Sequence, residues 1–124
     1  MFKDVNRYLA VMLGGAAGSA LRYAISLAVI GRYTGQFPLG TFLINLTGSF
    51  LIGFALTVIP PTGYEILRPL LVTGFLGGYT TFSAFEWETL VSPRPVAVAY
   101  VVLSVGLGLA ACWAGVALGR VVTR

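Results

Sequence analysis

The sequence predicts an all-α membrane protein, a single domain of four transmembrane helices. Two observations lead to this class. First, 57% of the 124 residues are hydrophobic and only 10% are charged, whereas a soluble domain carries about 25% charged residues. Second, the apolar residues form four long segments without two-residue alternation, separated by short turns rich in glycine and proline, which favours helices over the strands of a membrane barrel.

Each of the four segments is long enough to cross the hydrocarbon core as a helix. The second has no charged residue, and as a helix its length is about 31 Å. The breaks GRYTGQFP (31–38), PPTGYE (60–65) and SPRP (92–95) separate the segments. They are too short to hold a soluble domain, so the whole chain is predicted to be one transmembrane domain. The predicted helices cover residues of about 8–30, 39–59, 66–91 and 96–122.

Composition and charge exclude several classes of function. The eight basic residues are scattered singly, although the net charge is +4, which argues against nucleic-acid binding. There is no histidine, and the single cysteine, Cys112, lies within an apolar run, so neither a catalytic triad nor an internal disulfide can be assembled. We therefore expect no enzymatic activity.

Small residues recur at helix-packing spacing in the first and last segments, as Gly14 and Gly18 and as Gly115 and Gly119. Pairs of this kind let two helix backbones approach closely in lipid. Four tightly packed helices enclose too little interior for a pore, so an oligomer is expected if the protein transports anything.

Several polar side chains lie within the apolar segments, where each is costly unless it has a partner. Arg22 either reaches towards the interface or provides a cation at a vestibule or subunit contact. Asn45 either binds a neighbouring helix or directs its amide hydrogens at an anion, and Thr41 shares its helix face. In the last segment Tyr100 and Ser104 share a face in the same way.

The stretch GGYTT, residues 77–81, puts two weak helix formers and two β-branched residues in the middle of the third segment. One interpretation is an unbroken helix whose glycines serve packing. The other, which we favour, is a helix broken mid-membrane, where irregular backbone is tolerated only if it is buried in protein or faces a cavity. A break would free carbonyl groups to coordinate a cation and would leave a half-helix N-terminus pointing inwards.

Two phenylalanines and two polar residues follow the GGYTT stretch. Phe82 and Phe85 share a helix face, either as ordinary packing residues or as rings whose positive edges line a dry anion path. Ser83 lies between them and could add a hydroxyl donor. Glu88 either reaches the interface or marks a pore mouth.

Three motifs together resemble the Fluc (CrcB) family of fluoride channels. They are GGAAGSALRY (14–23), NLTGSF (45–50) and GFLGGYTTFSAF (74–85), and the resemblance extends over nearly the whole chain. It implies a dual-topology antiparallel homodimer with two fluoride pores. It also implies one structural sodium ion (Na⁺) at the dimer axis, held by the backbone carbonyls of Gly77 and Thr80.

The resemblance also implies the residues of the anion path. Arg22 and Glu88 match vestibule positions. Two departures, Ala84 and Gly108, stand where relatives usually carry hydroxyl side chains, so they thin the polar track. The pore positions that match are Thr41, Asn45, Phe82, Ser83, Phe85, Tyr100 and Ser104.

The function implied is passive, fluoride-selective export through the plasma membrane (the bacterial inner membrane), which confers fluoride resistance. Two alternatives stay open on the residues alone, a small dual-topology exporter of drugs or cations and a non-conducting membrane scaffold subunit. The exporter would need an ionisable carboxylate deep in the first helix, where this chain has only Arg22. A scaffold would not need the GGYTT stretch.

The basic residues are distributed unequally between the two membrane faces. If the N-terminus, the 60–65 turn and the C-terminus share one face, five basic residues lie there and two, Arg32 and Arg94, lie on the other. A dual-topology protein should show little such asymmetry, so a paired system of two different subunits stays open. The five are Lys3, Arg7, Arg68, Arg120 and Arg124.

Overall fold

The computed structural model describes all 124 residues, which form helices joined by short loops without any β-strand. Three helices are each long and apolar enough to cross a membrane: α1 (Phe2–Ile30), α2 (Leu39–Val58) and α5 (Arg94–Val122). Between α2 and α5 the chain forms a third helical segment, which consists of a π-helical part (Pro69–Leu76), a short α3 (Gly77–Tyr79) and α4 (Phe82–Val91). The all-α class predicted from the sequence is therefore confirmed.

Helix α1 begins earlier than the hydropathy pattern indicated, at Phe2 rather than near Tyr8. Its first turn is polar, but the amides of Asp4 and Val5 both donate to the Met1 carbonyl, each at 3.2 Å. A carboxylate in the first turn also suits the helix dipole. The helix therefore continues beyond the apolar stretch from which its start was predicted.

The third helical segment starts at Leu67, close to the predicted start near Ile66, and its π-helical part begins at Pro69. Proline is tolerated in the first turn of a helix because its missing amide would have no helical partner there. The turns from Pro69 to Leu76 are π-helical, a conformation found mostly in short pieces and often at functional sites.

Two contacts bring helix backbones close together. In the first, α1 lies on the π-helical part and on α3, and in the second, α2 lies on α5. Helix α4 also lies against α5 and α2. A Cβ on Gly18 would collide with the carbonyl oxygen of Phe75, and a Cβ on Gly115 would collide with that of Phe50. Glycine thus lets the backbones touch in both contacts, as the small-residue spacing predicted.

The interior is small, and most large apolar side chains point outwards. Only 14 of the 124 residues are buried, and side chains such as Trp113 expose 73% of their surface. A surface of this kind suits lipid rather than water. Ile44 and Tyr100 are the largest fully buried side chains. The hydroxyl of Tyr100 donates a hydrogen bond to Glu88.

Candidate functional site

Helical geometry stops after Tyr79 and resumes at Phe82. The two residues between them, called the interruption here, are extended: Thr80 has φ −79° and ψ 159°, and Thr81 has φ −150° and ψ 118°. Threonine suits extended backbone because its β-branched side chain is restricted in a helix. The Thr81 hydroxyl accepts the Ala84 amide at 3.2 Å and so caps α4.

Side chains from α1 and α2 satisfy polar backbone groups around the interruption. Asn45 Nδ2 donates to the Thr81 carbonyl oxygen at 2.9 Å, and the Thr81 amide donates to Asn45 Oδ1 at 2.8 Å. Arg22 Nε donates to the Gly78 carbonyl oxygen at 3.0 Å, and Ser19 Oγ donates to the same oxygen at 3.5 Å. Both Asn45 and Arg22 therefore bind the backbone of the third segment.

Two carbonyl oxygens beside the interruption, those of Gly77 and Thr80, accept no hydrogen bond within the chain. The Thr80 hydroxyl donates to the Leu76 carbonyl oxygen at 2.9 Å. Gly77 and Thr80 both line an open groove of about 300 Å³, whose wall on α2 includes Asn45. Because hard cations prefer oxygen ligands, these two carbonyls are the groups that could hold one.

Glu88 joins three parts of the chain. Its Oε1 accepts the hydroxyl of Thr41 in α2 at 2.7 Å, and its Oε2 accepts the hydroxyl of Tyr100 in α5 at 2.7 Å. Hydrogen bonds to a carboxylate are stronger than those between neutral groups. Thr41 and Glu88 also line a cavity of about 260 Å³ together with the loop at residues 31–38. Glu88 is thus held in the wall of this cavity by hydrogen bonds from α2 and α5.

The two phenylalanines that follow the interruption differ in their surroundings. Phe85 lies against Tyr100, with ring centroids 5.1 Å apart, so it belongs to the Glu88 site. Phe82 is 73% exposed and lies 5.9 Å from Phe85 between ring centroids. Phe82 also lines the groove of Gly77 and Thr80. Within one chain, therefore, only one side of this ring pair is covered.

Ser83 and Ser104 are in opposite situations. Ser83 is exposed, and its Oγ lies 3.4 Å from the Thr81 hydroxyl. Ser104 Oγ is buried and has no hydrogen-bond partner. Thr89 Oγ1 is in the same condition, although the sequence did not single it out. Its four-residue spacing from Phe85 is the signal that could have found it.

Neutral donors and aromatic rings meet in a seam between α2, α4 and α5. The hydroxyl groups and ring edges of the seam can hold a small anion that accepts hydrogen bonds, and they can release it because none carries a full positive charge. The Glu88 carboxylate accepts hydrogen bonds from two of these hydroxyls. A dehydrated small anion is therefore the ligand that suits the seam best. The seam consists of Thr41, Phe85, Glu88 and Tyr100, which contact one another, and of Thr89 and Ser104, whose hydroxyls are buried one helical turn after Phe85 and Tyr100.

The chain is similar to known membrane proteins over most of its length. Residues 9–116 match the family described as CrcB-like protein, Camphor Resistance (CrcB). A protein of Solibacter usitatus named Fluoride-specific ion channel FluC is 44% identical over 120 residues, which cover 92% of this chain and 98% of that protein. A protein of the same name from Chloroflexus aurantiacus is 47% identical over 122 residues, with 94% and 97% covered. This chain therefore belongs to the CrcB family.

Proposed function

We infer that this chain is a fluoride-selective ion channel of the bacterial plasma membrane, through which cytoplasmic fluoride leaves the cell passively. The observation that carries the inference is its identity of 44–47% to proteins named fluoride-specific ion channels, over at least 92% of the chain. A seam of neutral donors agrees with a small anion as the permeating ion. A negative-inside membrane potential would drive that anion outwards without any nucleotide.

Glu88 engages the donors that a permeating anion needs. The hydroxyls of Thr41 and Tyr100 both donate to its carboxylate. A fluoride ion that reaches these hydroxyls replaces the carboxylate as their acceptor, and the two like charges repel. The Glu88 side chain therefore turns aside as the anion moves past it.

The rings next to this site favour fluoride over chloride. Phe85 lies against Tyr100, and an aromatic ring presents a positive edge to an anion. A narrow path lets its donors and ring edges contact the small fluoride ion closely. Chloride is the larger ion, and the same path does not fit it equally well.

We propose that the functional unit is an antiparallel homodimer with two pores. In one chain Phe82 is largely exposed, and the groove that contains Gly77 and Thr80 is open. A second, inverted copy would cover both features and would complete the anion path on its uncovered side. We also propose that residues of about 66–91 cross the membrane as one helix that is broken mid-membrane at the interruption.

The basic residues are divided five against two between the two predicted membrane faces, a mild asymmetry for a dual-topology protein. A cysteine at Thr123 in a Cys112→Ser background tests dual topology. A membrane-impermeant maleimide should label about half of the molecules in sealed vesicles, whereas full labelling or none would contradict dual topology.

We propose that Gly77 and Thr80 hold a structural sodium ion between two copies. The support is that their carbonyl oxygens lack hydrogen bonds and line the same groove. Two such carbonyls from each copy would present four oxygens, a ligand type that suits a hard cation. When bound, the ion supplies a fixed positive charge that ties the copies together and favours an anion nearby.

Thermal unfolding of the purified protein tests the sodium proposal separately from transport. An ion that binds only the folded dimer raises the unfolding temperature of the protein. The unfolding temperature should therefore be higher in sodium chloride than in N-methylglucamine chloride at equal ionic strength. Equal unfolding temperatures in the two salts would contradict the proposal.

Flux from liposomes that contain only this protein tests the channel function. Liposomes loaded with potassium fluoride should release fluoride when valinomycin is added, as measured with a fluoride electrode. Liposomes loaded with potassium chloride should release almost none. Comparable chloride release would rule out a fluoride-selective channel, and no release of either anion would favour a non-conducting scaffold.

A further inference from the structure

Seven serine and threonine hydroxyl groups, within helices or at their C-terminal ends, donate to the carbonyl oxygen one turn earlier, at distances of 2.6 to 2.9 Å. Thr89 and Ser104 do not, although both hydroxyl oxygens are buried and neither has a partner elsewhere in the chain. The seven are Ser26, Thr47, Ser49, Thr57, Thr80, Ser92 and Thr123.

The two unpaired hydroxyls lie on opposite sides of one ring contact. Thr89 follows Phe85 by one turn on the same face of α4, and Ser104 follows Tyr100 by one turn on the same face of α5. The rings of Phe85 and Tyr100 lie 5.1 Å apart between centroids. Helices α4 and α5 are joined by a two-residue turn, and the contact between Phe85 and Tyr100 shows that α5 folds back along α4. Thr89 is therefore displaced from this ring contact towards the turn, and Ser104 is displaced away from it.

A buried hydroxyl without a partner is unfavourable, because it has left water and gained no hydrogen bond in exchange. A threonine in a helix can usually avoid this by bonding to the carbonyl one turn earlier. Thr89 does not, and it directly follows Glu88, whose carboxylate is held by Thr41 and Tyr100. An unpaired donor next to the proposed anion path points to a ligand that arrives only during transport.

We propose that the Thr89 hydroxyl is a further hydrogen-bond donor to the permeating anion, on the Glu88 side of Phe85. Ser104 donates on the other side of the ring, so the anion moves past Phe85 from one hydroxyl to the next. Thr89 is thereby a selectivity-determining residue, since its single neutral hydroxyl compensates part of the hydration shell of fluoride. The proposal rests on the proposed channel function.

Thr89→Val tests it, because valine keeps the shape and removes only the hydroxyl. Since no hydrogen bond is lost, the unfolding temperature should stay the same or rise. Fluoride efflux from liposomes should fall about tenfold or more, as expected for the loss of a hydrogen bond to an ion in the rate-limiting state. Thr89→Ser keeps the hydroxyl and should retain most of the flux.

Thr57→Val is the matched control, because the Thr57 hydroxyl donates to the Gly53 carbonyl oxygen at 2.7 Å. It should lower the unfolding temperature and leave the flux of the folded protein unchanged. Wild-type flux in Thr89→Val overturns the proposal, and so does a lowered unfolding temperature, which would reveal a structural partner. If Thr89→Val does not fold, Thr89→Ala must lose the flux that Thr89→Ser keeps. Absence of flux in the wild type overturns the channel function instead.

Discussion

Asn45 and Thr81 are joined by a reciprocal pair of hydrogen bonds, 2.9 Å from Asn45 Nδ2 to the Thr81 carbonyl oxygen and 2.8 Å from the Thr81 amide to Asn45 Oδ1. A carboxamide from α2 thus takes the place of the neighbouring peptide groups that an unbroken helix would supply. Extended backbone within an apolar environment requires such a substitute, because its donors and acceptors have no water.

Asn45→Leu should destabilise the protein. It leaves the amide and the carbonyl of Thr81 without partners, at a cost of about 1–3 kcal/mol for each buried group. The unfolding temperature in detergent and the amide exchange rate of Thr81 both measure the effect. Ser49→Ala is the control one turn further along α2. It removes a hydroxyl that only bonds back to the Asn45 carbonyl oxygen at 2.7 Å. Unchanged Thr81 exchange in Asn45→Leu would contradict the positioning role.

Phe82→Ile and Phe85→Ile should each cause a strong loss of fluoride flux while the proposed dimer stays intact. Isoleucine keeps apolar bulk and removes the positive ring edge. Size-exclusion chromatography in detergent checks the oligomer, and liposome efflux checks transport. Phe54→Ile is a suitable control, because Phe54 lines an entirely apolar groove away from Glu88. Wild-type flux in both test variants would show that the two rings only pack.

Tyr100→Phe should reduce fluoride flux about tenfold or more, because it removes one of the two hydroxyl donors that Glu88 now engages. It should also lower stability by about 1.5–3 kcal/mol, the usual contribution of a hydrogen bond to a charged group. Thr41→Val removes the other donor and should act in the same direction. If both variants conduct like the wild type, the anion does not pass the Glu88 donors.

Gly18→Ala should destabilise the contact between α1 and the third segment by about 1–3 kcal/mol, because its Cβ would collide with backbone atoms of Phe75. Gly106→Ala is the matched control, since a Cβ there has no atom within 4 Å. The stability of α5 should rise slightly in Gly106→Ala, because alanine is a better helix former than glycine. The unfolding temperatures of the two variants are compared in detergent. Equal unfolding temperatures would show that the α1 contact adjusts to the added methyl group without loss of stability.

Gly108→Ser should fold as well as the wild type and should maintain or increase fluoride flux. A Cβ at this position has ordinary clearance, with Ser49 Oγ at 3.7 Å as its nearest neighbour. The new hydroxyl would add a donor one turn beyond Ser104, where the seam lacks one. Flux in liposomes and the unfolding temperature decide the outcome. A loss of folding would mean that the contact between α2 and α5 is tighter than this clearance indicates.

The sequence by itself determined the class of the protein and the close packing of its helices. Length and apolar composition are local properties, so four helical segments could be predicted without knowing which of them touch. Glycine spacing is local as well, and Gly18 and Gly115 do lie in the two backbone contacts. The start of α1 was misjudged, because its polar first turn is stabilised by hydrogen bonds to Met1 that hydropathy does not register.

Only the tertiary structure decided which polar groups meet. Thr41 and Glu88 are 47 residues apart in the chain, and Arg22 and Gly78 are 56 apart. Sequence spacing identifies neighbours on one helix face but carries no information about the facing helix. That choice follows from how the glycine contacts bring α1 to the third segment and α2 to α5. The buried, unpaired hydroxyl of Thr89 likewise became visible only once α4 was packed against its neighbours.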